Sequence, residues 1–354
     1  TLTDLTDDEF GSLSGLGNCS TPHTIAVEGN YSCAFTASIS GNAGEIHENK
    51  VTATVQDNEG TSVFAVSPAV SVSFSDVLPA ITINKGANPT TIPEPGGNVD
   101  YTVVVNNTST AESVTLTTLG DDIFGNLSGQ GNCSVPQTIA SSGDYTCTFT
   151  RSISGNAAAT HTNVASAWAQ DDEGNTTSAN ESETVTFTNV LPTITVSKTT
   201  NVPSINEPGG DIVYTVVVNN TSTAEALSLT GLNDDIYGDL NGQGNCTLPQ
   251  TIAIGGDYSC SFTKTFSGIA GTTHTNVVTA TVQDDDGSSV TGNDNAVLNY
   301  IDIPPTLTVS KTANTTNVPE SGGSVTYTVT VKNTSYENTV LTKLWDDQIG
   351  DLAG

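Results

Sequence analysis

Short runs of alternating apolar and polar residues, rich in Val, Ile, Thr, Tyr and Phe, recur along the chain and are broken by clusters of Gly, Asn, Asp and Pro. A period of two buries one face of each run and wets the other, which predicts half-buried β-strands. In the best-defined stretch these runs fall at 80–85, 98–107, 113–119, 135–140, 144–153, 161–169 and 178–188. Turn chemistry separates them, as at Glu94-Pro95-Gly96-Gly97 and Ser141-Ser142-Gly143-Asp144. No stretch carries a convincing apolar period of 3.6, so helices are not expected.

The pattern repeats. The segment that starts Leu116-Thr117-Thr118-Leu119-Gly120-Asp121-Asp122 returns at Leu229 and, more loosely, at Leu2 and Leu341, a spacing of 112 to 114 residues. Other landmarks keep the same register: Gly17-Asn18-Cys19, Gly131-Asn132-Cys133 and Gly244-Asn245-Cys246; then Tyr31, Tyr145 and Tyr258, each two residues before a second cysteine. Such a period is too long for a solenoid turn and is the size of one small domain. Proline marks the joints at Leu78-Pro79, Leu191-Pro192 and Pro304-Pro305. The expected organisation is therefore an incomplete domain over 1–77, whole domains over 78–190 and 191–303, and an incomplete one over 304–354. Seven short strands in such a unit match a seven-stranded Ig-like β-sandwich. The expected fold class is all-β, tandem Ig-like sandwiches in an elongated array. The phasing reads as a window on a longer continuous chain; strand complementation between the two end segments is the competing reading.

The unit that runs Ile194-Thr195-Val196-Ser197-Lys198-Thr199, then Glu207-Pro208-Gly209-Gly210, Tyr214-Thr215-Val216-Val217-Val218-Asn219-Asn220 and Leu232-Asn233-Asp234-Asp235-Ile236-Tyr237-Gly238 resembles the conserved-repeat family of Ig-like domains, long catalogued as a domain of unknown function, in bacterial and archaeal surface proteins. The resemblance covers essentially the whole chain. It implies a secreted, tandemly repeated structural module at the cell surface and brings no catalytic residues.

Composition narrows the partners. Eight Lys and Arg stand against 38 Asp and Glu, a formal net charge of −30, which excludes the basic stripe that nucleic acid needs. Hydrophobic residues make up 35%, enough for small cores and too many for an acidic disordered tail. No window is long and apolar enough to span a membrane.

Six cysteines fall as Cys19/Cys33, Cys133/Cys147 and Cys246/Cys260, one pair per repeat and always 14 apart. That arithmetic predicts a local disulfide in each unit and an oxidising, extracellular compartment. Closing a loop of about 15 residues is worth roughly 3 kcal/mol.

The acidic loops are the candidate ligand sites. Calcium takes six to eight oxygens held on turns, and Asp171, Asp172 and Glu173, or Asp284, Asp285 and Asp286, supply several beside a glycine. Counting strand directions sets Asp121 and Asp122 against Asp284–Asp286 across a junction, and likewise Asp7 and Asp8 against Asp171–Glu173. The alternatives are an interdomain Ca2+ site that stiffens the joint and ordinary solvated turns.

Lysine is rare, yet Lys85, Lys198 and Lys311 recur in register, each followed by Glu94, Glu207 or Glu320 and then by Asn107, Asn220 or Asn333. Lys, Asn and a carboxyl group are the parts of a self-forming isopeptide crosslink. A hairpin centred on Glu94–Gly97 sets Lys85 opposite Asn106 and near Asn107, but leaves Glu94 about 30 Å along the strand, so the acid must come from elsewhere. The other reading is a surface lysine with a turn-stabilising asparagine. His47, His161 and His274, each with Asn two residues on (Asn49, Asn163, Asn276), read as hydrogen bonders at strand starts. Trp168 and Trp345 replace polar residues of other copies, which predicts outward-facing rings. Sequons at Asn107, Asn126, Asn175, Asn220 and Asn333 permit glycosylation. The functional expectation is a non-enzymatic stalk, adhesin shaft or surface filament whose partners are neighbouring copies of the repeat; the alternative is a glycan- or host-surface-binding module of an adhesin.

Overall fold

A computed structural model describes residues 1–352. Its elements are all β-strands among these residues, and none is a helix long and apolar enough to cross a membrane. The chain forms tandem β-sandwich domains of Ig-like type. It divides into two compact units, one made of Thr1–Ile92, Gly96–Gly155 and Ala159–Thr186, the other of Pro93–Pro95, Asn156–Ala158 and Phe187–Gly354.

In the first complete repeat one sheet has three strands, Asp144–Ser154, Gly96–Asn107 and Ile81–Asn88 in that order. The other sheet is built on Val114–Asp121, Thr160–Gln170 and Thr176–Thr188, with short strands at its edges. The seven predicted strands are all present within a few residues. Two short strands escaped the sequence reading, Thr91–Pro93 and Gly125–Asn126, because two or three residues carry no readable period.

Alternation does the packing. From Gly96–Asn107 the side chains of Val99, Tyr101, Val103 and Val105 are buried, as are Leu116, Leu119, Ala165, Ala167 and Ala169 of the other sheet. Each large one buried this way contributes about 1.5–3 kcal/mol of transfer free energy. The next repeat has the same core, with Ile212, Tyr214, Val216 and Val218 meeting Leu227, Leu229, Leu232, Val278, Ala280 and Val282.

A register shift between Leu116 and Thr118, and again between Leu229 and Gly231, marks a bulge in the strand that follows the threonine-rich turn. The bulge breaks the period of two, so that Leu119 and then Asp121 face inward instead of outward. It is the device that carries an aspartate into the sandwich.

The cysteines pair as expected: Cys19–Cys33, Cys133–Cys147 and Cys246–Cys260, with Cα separations of 4.9, 4.9 and 5.0 Å. The neighbouring landmarks serve the same staple. Asn132 Oδ1 accepts the Thr148 amide at 2.6 Å, and the Tyr145 hydroxyl accepts the Ser134 amide at 2.8 Å. Gly131 has φ +56° and its Cβ would stand 2.0 Å from the Thr148 carbonyl oxygen, so only glycine fits there.

Candidate functional site

The lysines lie inside the sandwich, not on the surface. Lys85 Nζ donates to Asp121 Oδ2 at 2.6 Å, and neither side chain is exposed. The same carboxylate oxygen accepts Asn163 Nδ2 at 2.7 Å. Asp121 Oδ1 caps the turn behind it, taking the Ile123 and Phe124 amides at 3.0 Å each. Asn163 comes from the facing sheet, is fully buried, and its Oδ1 has no hydrogen-bond partner, an omission that costs about 1–3 kcal/mol.

The second complete repeat copies the arrangement. Lys198 Nζ meets Asp234 Oδ2 at 2.6 Å and also contacts Asn276 Oδ1 directly. Asn276 Nδ2 donates to Asp234 Oδ1 at 2.6 Å. Aromatic rings line both sites: Lys85 lies 5.0 Å from the Tyr101 ring centroid, and Lys198 4.9 Å from that of Tyr214.

Burial pulls the Lys85 and Lys198 amines below the usual lysine range, against the opposing pull of Asp121 and Asp234. Burial pushes Asp121 up, but the Lys85 amine, the turn amides and Asn163 together hold it below its ordinary value. Desolvation moves the Tyr101 hydroxyl up to about 12.

This geometry overturns the expected Lys–Asn pairing. Lys85 is paired in register with Val103, and Asn107 with Ile81. Asn107 instead ties down a loop, donating to the carbonyls of Glu112, Ile139 and Ala140; Asn220 does the same with Glu225, Ile252 and Ala253. Asn333 pairs with Leu307 while Lys311 pairs with Val329. The hairpin arithmetic failed because the connection after Asn88 is no tight turn: it holds the strand Thr91–Pro93, which joins the other sheet. Asn107 and Asn220 are also buried, so those two sequons are closed to glycosylation.

The glutamates beside the Pro-Gly turns are structural. Glu94 accepts the Ala157 and Val190 amides at 2.8 Å each, and Glu207 accepts those of Ala270 and Ile303 at 2.9 and 3.2 Å. His161 and His274 pack on Phe124 and Phe266, with Nε2 buried and unpartnered; they are ring contacts, not hydrogen bonders. Trp168 and Trp345 are exposed as expected.

The acidic ligand candidates regroup. Asp121 is spent on Lys85 and its turn; Asp7 likewise caps the Glu9 and Phe10 amides and meets Asn49. Asp8 and Asp122 accept the backbone amides of Lys50 and Val164 at 2.7 Å each. Neither pair joins a carboxylate cluster, because a β-turn that follows a bulged strand uses its aspartates internally. Asp172 and Asp285 take asparagine amides, from Asn42 and Asn156, and Asp284 caps the Ser288 amide.

Among the described residues three groups of carboxylates do converge, each with oxygens within 4.8 Å of one another: Asp76, Glu112, Asp171 and Glu173 in the first unit, and Glu94, Glu225 and Asp286, then Glu207, Asp302 and Glu337, in the second. Of these, the sequence names only Asp171, Glu173 and Asp286 as metal ligands; Glu94 and Glu207 it names only beside the recurring lysines. Glu112, Glu225 and Glu337 escape the sequence reading because each comes from a different turn, and no spacing records that convergence. Glu112 Oε1 and Glu225 Oε1 are buried without a partner. Desolvation, then Asp172, Glu173 and Asp171, push Glu112 up to about 6. Desolvation and then Asp285, with Glu94 and Asp284, push Glu225 up to about 8.

No family model matches the chain, and no curated protein matches it. Among solved structures it is similar to a 1.5-MDa bacterial ice-binding adhesin, at 16% identity over 73% of this chain and 75% of that one, with a TM-score of 0.22. It is also similar to a tetra-tandem repeat in the extending region of a large adhesion protein, at 17% identity over 81% and 70%, TM-score 0.23. A transglutaminase of red sea bream is matched at 11% identity over 63% of this chain, TM-score 0.24, and the chain spans only 31% of that enzyme. Likeness at these levels carries no functional argument.

Proposed function

We propose that the protein is a structural, extracellular repeat protein that forms a stalk, adhesin shaft or surface filament and carries no catalytic role. The observation that supports this most is recurrence in register: core, disulfide, tyrosine and buried lysine all repeat, as a spacer needs, because length scales with copy number. The disulfides fit an oxidising compartment. The sequence resemblance to surface-protein repeats points the same way. Electron microscopy of the native source should show fibres or thin surface stalks; compact particles would overturn the reading.

Divalent cations, Ca2+ by the hardness of the ligands, are the proposed stiffeners. Asp76, Glu112, Asp171 and Glu173 would hold one ion, and the groups around Glu225 and Glu337 two more. The buried unpartnered oxygens of Glu112 and Glu225 support this, since a cation satisfies them and offsets the desolvation and carboxylate repulsion that raise their pKa values. Melting with calcium and with chelator tests it: calcium should raise the midpoint, and identical midpoints would sink the idea.

A further inference from the structure

We propose that Lys85 and Asn163, and equally Lys198 and Asn276, become joined by an isopeptide bond between Nζ and Cγ, formed by the folded domain itself with Asp121 and Asp234 as proton carriers.

The reacting groups are already collected. One oxygen of Asp121 touches both the amine, at 2.6 Å, and the amide nitrogen that has to leave, at 2.7 Å. In the next copy the lysine nitrogen touches the amide oxygen of Asn276 as well. In the first copy the lysine nitrogen donates to the Asn163 backbone carbonyl at 3.1 Å, so in both copies amine, amide and proton carrier are gathered at one carboxylate, the proximity that turns a slow amide exchange into an intramolecular step. All three side chains are buried beside Tyr101 or Tyr214, and burial draws the lysine amine toward its neutral, nucleophilic form.

The step balances. A proton passes from the Lys85 ammonium to Asp121, leaving a neutral amine with a free electron pair. That pair attacks Cγ of Asn163, the Nζ–Cγ bond forms, and the carbonyl oxygen takes up the displaced electrons. Asp121 delivers its proton to Nδ2 and recovers one from Nζ; the Cγ–Nδ2 bond breaks and ammonia leaves. No oxidant, metal or cofactor is consumed. The unpartnered Oδ1 of Asn163 is the atom on which negative charge develops.

The two end segments are incomplete repeats. Asn49 donates to Asp7 with no lysine on that carboxylate, and Lys311 pairs with Asp346 with no asparagine at hand. Each holds two of the three parts. The chain should therefore form two crosslinks.

The test is the intact mass of the purified chain, reduced and denatured. The mass expected is two ammonia masses below that of the sequence; the full sequence mass overturns the proposal. Digestion should yield a branched peptide that joins the segments around Lys85 and Asn163, and its absence also overturns it. Lys85→Met, which keeps the buried volume, and Asp121→Asn should each restore one ammonia mass. Should Asp121→Asn not fold, Lys85→Met together with the branched peptide of the wild type still decides. Chelator has no bearing on these masses, so failure here is distinct from failure of the calcium reading.

Discussion

Lys198 and Lys311 hold the same place in two copies of one repeat, each with an aspartate on its Nζ, yet their acidities move in opposite directions. Lys198 is 0% exposed and burial lowers its pKa. Lys311 is 39% exposed, and its contact with Asp346 raises its pKa. The pair itself is common to both. What differs is the second sheet: Thr273–Gln283 covers Lys198, whereas the strands Leu307–Ala313 and Tyr327–Asn333 form a two-stranded sheet with Leu307, Val309 and Tyr327 exposed. The comparison teaches that the same lysine–aspartate pair shifts in opposite directions with and without a strand packed over it: burial sets the direction for Lys198, the aspartate for Lys311.

The sharpest way to break the comparison is Asp234→Ala, which strands an amine in the core and should cost about 3–5 kcal/mol, seen as a large fall in the melting midpoint of the second unit. Asp346→Ala on the open sheet should leave the midpoint where it was; equal effects would remove the distinction. Next in size is the staple. Replacing Cys246 and Cys260 by Ser should cost roughly 3 kcal/mol, measured by denaturant unfolding, and an unchanged midpoint concentration would mean the loop is already constrained by Asn245 and Tyr258.

A smaller effect lies in pH. The folded-state pKa of Glu225, about 8, stands above its ordinary 4.5, so the folded protein holds that proton more tightly than the unfolded chain. Its contribution is complete below about pH 4.5 and is lost as pH rises toward 8. In chelator the melting midpoint should fall across that range, and Glu225→Gln should flatten the profile; a profile identical to wild type would dissociate Glu225 from the effect. Smallest of all, Trp168→Ala on the exposed face should change stability by no more than about 0.5 kcal/mol.

Much of the fold was legible because it is written in a period of two and copied. Alternation located the strands, and the constant 14-residue spacing paired the cysteines. The site was legible in its parts and not in its assembly. In the sequence Asn163 and Asn276 appear only as companions of histidines, Asp121 as a candidate calcium ligand or a solvated turn acid, and Asp234 only as a landmark of the repeat. The cause is the bulge at Leu116–Thr118: it inverts the facing of Asp121, and an alternation pattern carried through it puts the aspartate outside. The carboxylate groups failed for a related reason. Glu112 and Glu225 sit on turns whose company is set by how the sheets fold back, which no local spacing encodes.

The lysine–asparagine link has a mechanical consequence. Lys85 lies on the first strand of its domain and Asn163 on the strand before the last, 78 residues apart along the chain. Once they are bonded, tension applied at the two ends of the domain travels through the bond and bypasses everything between. Roughly 260–280 Å of chain, at 3.3–3.6 Å per residue, is then withheld from extension, and only the outermost strands can peel. A shaft built of such units would lengthen little before it broke, and would return to its original length when the load was released.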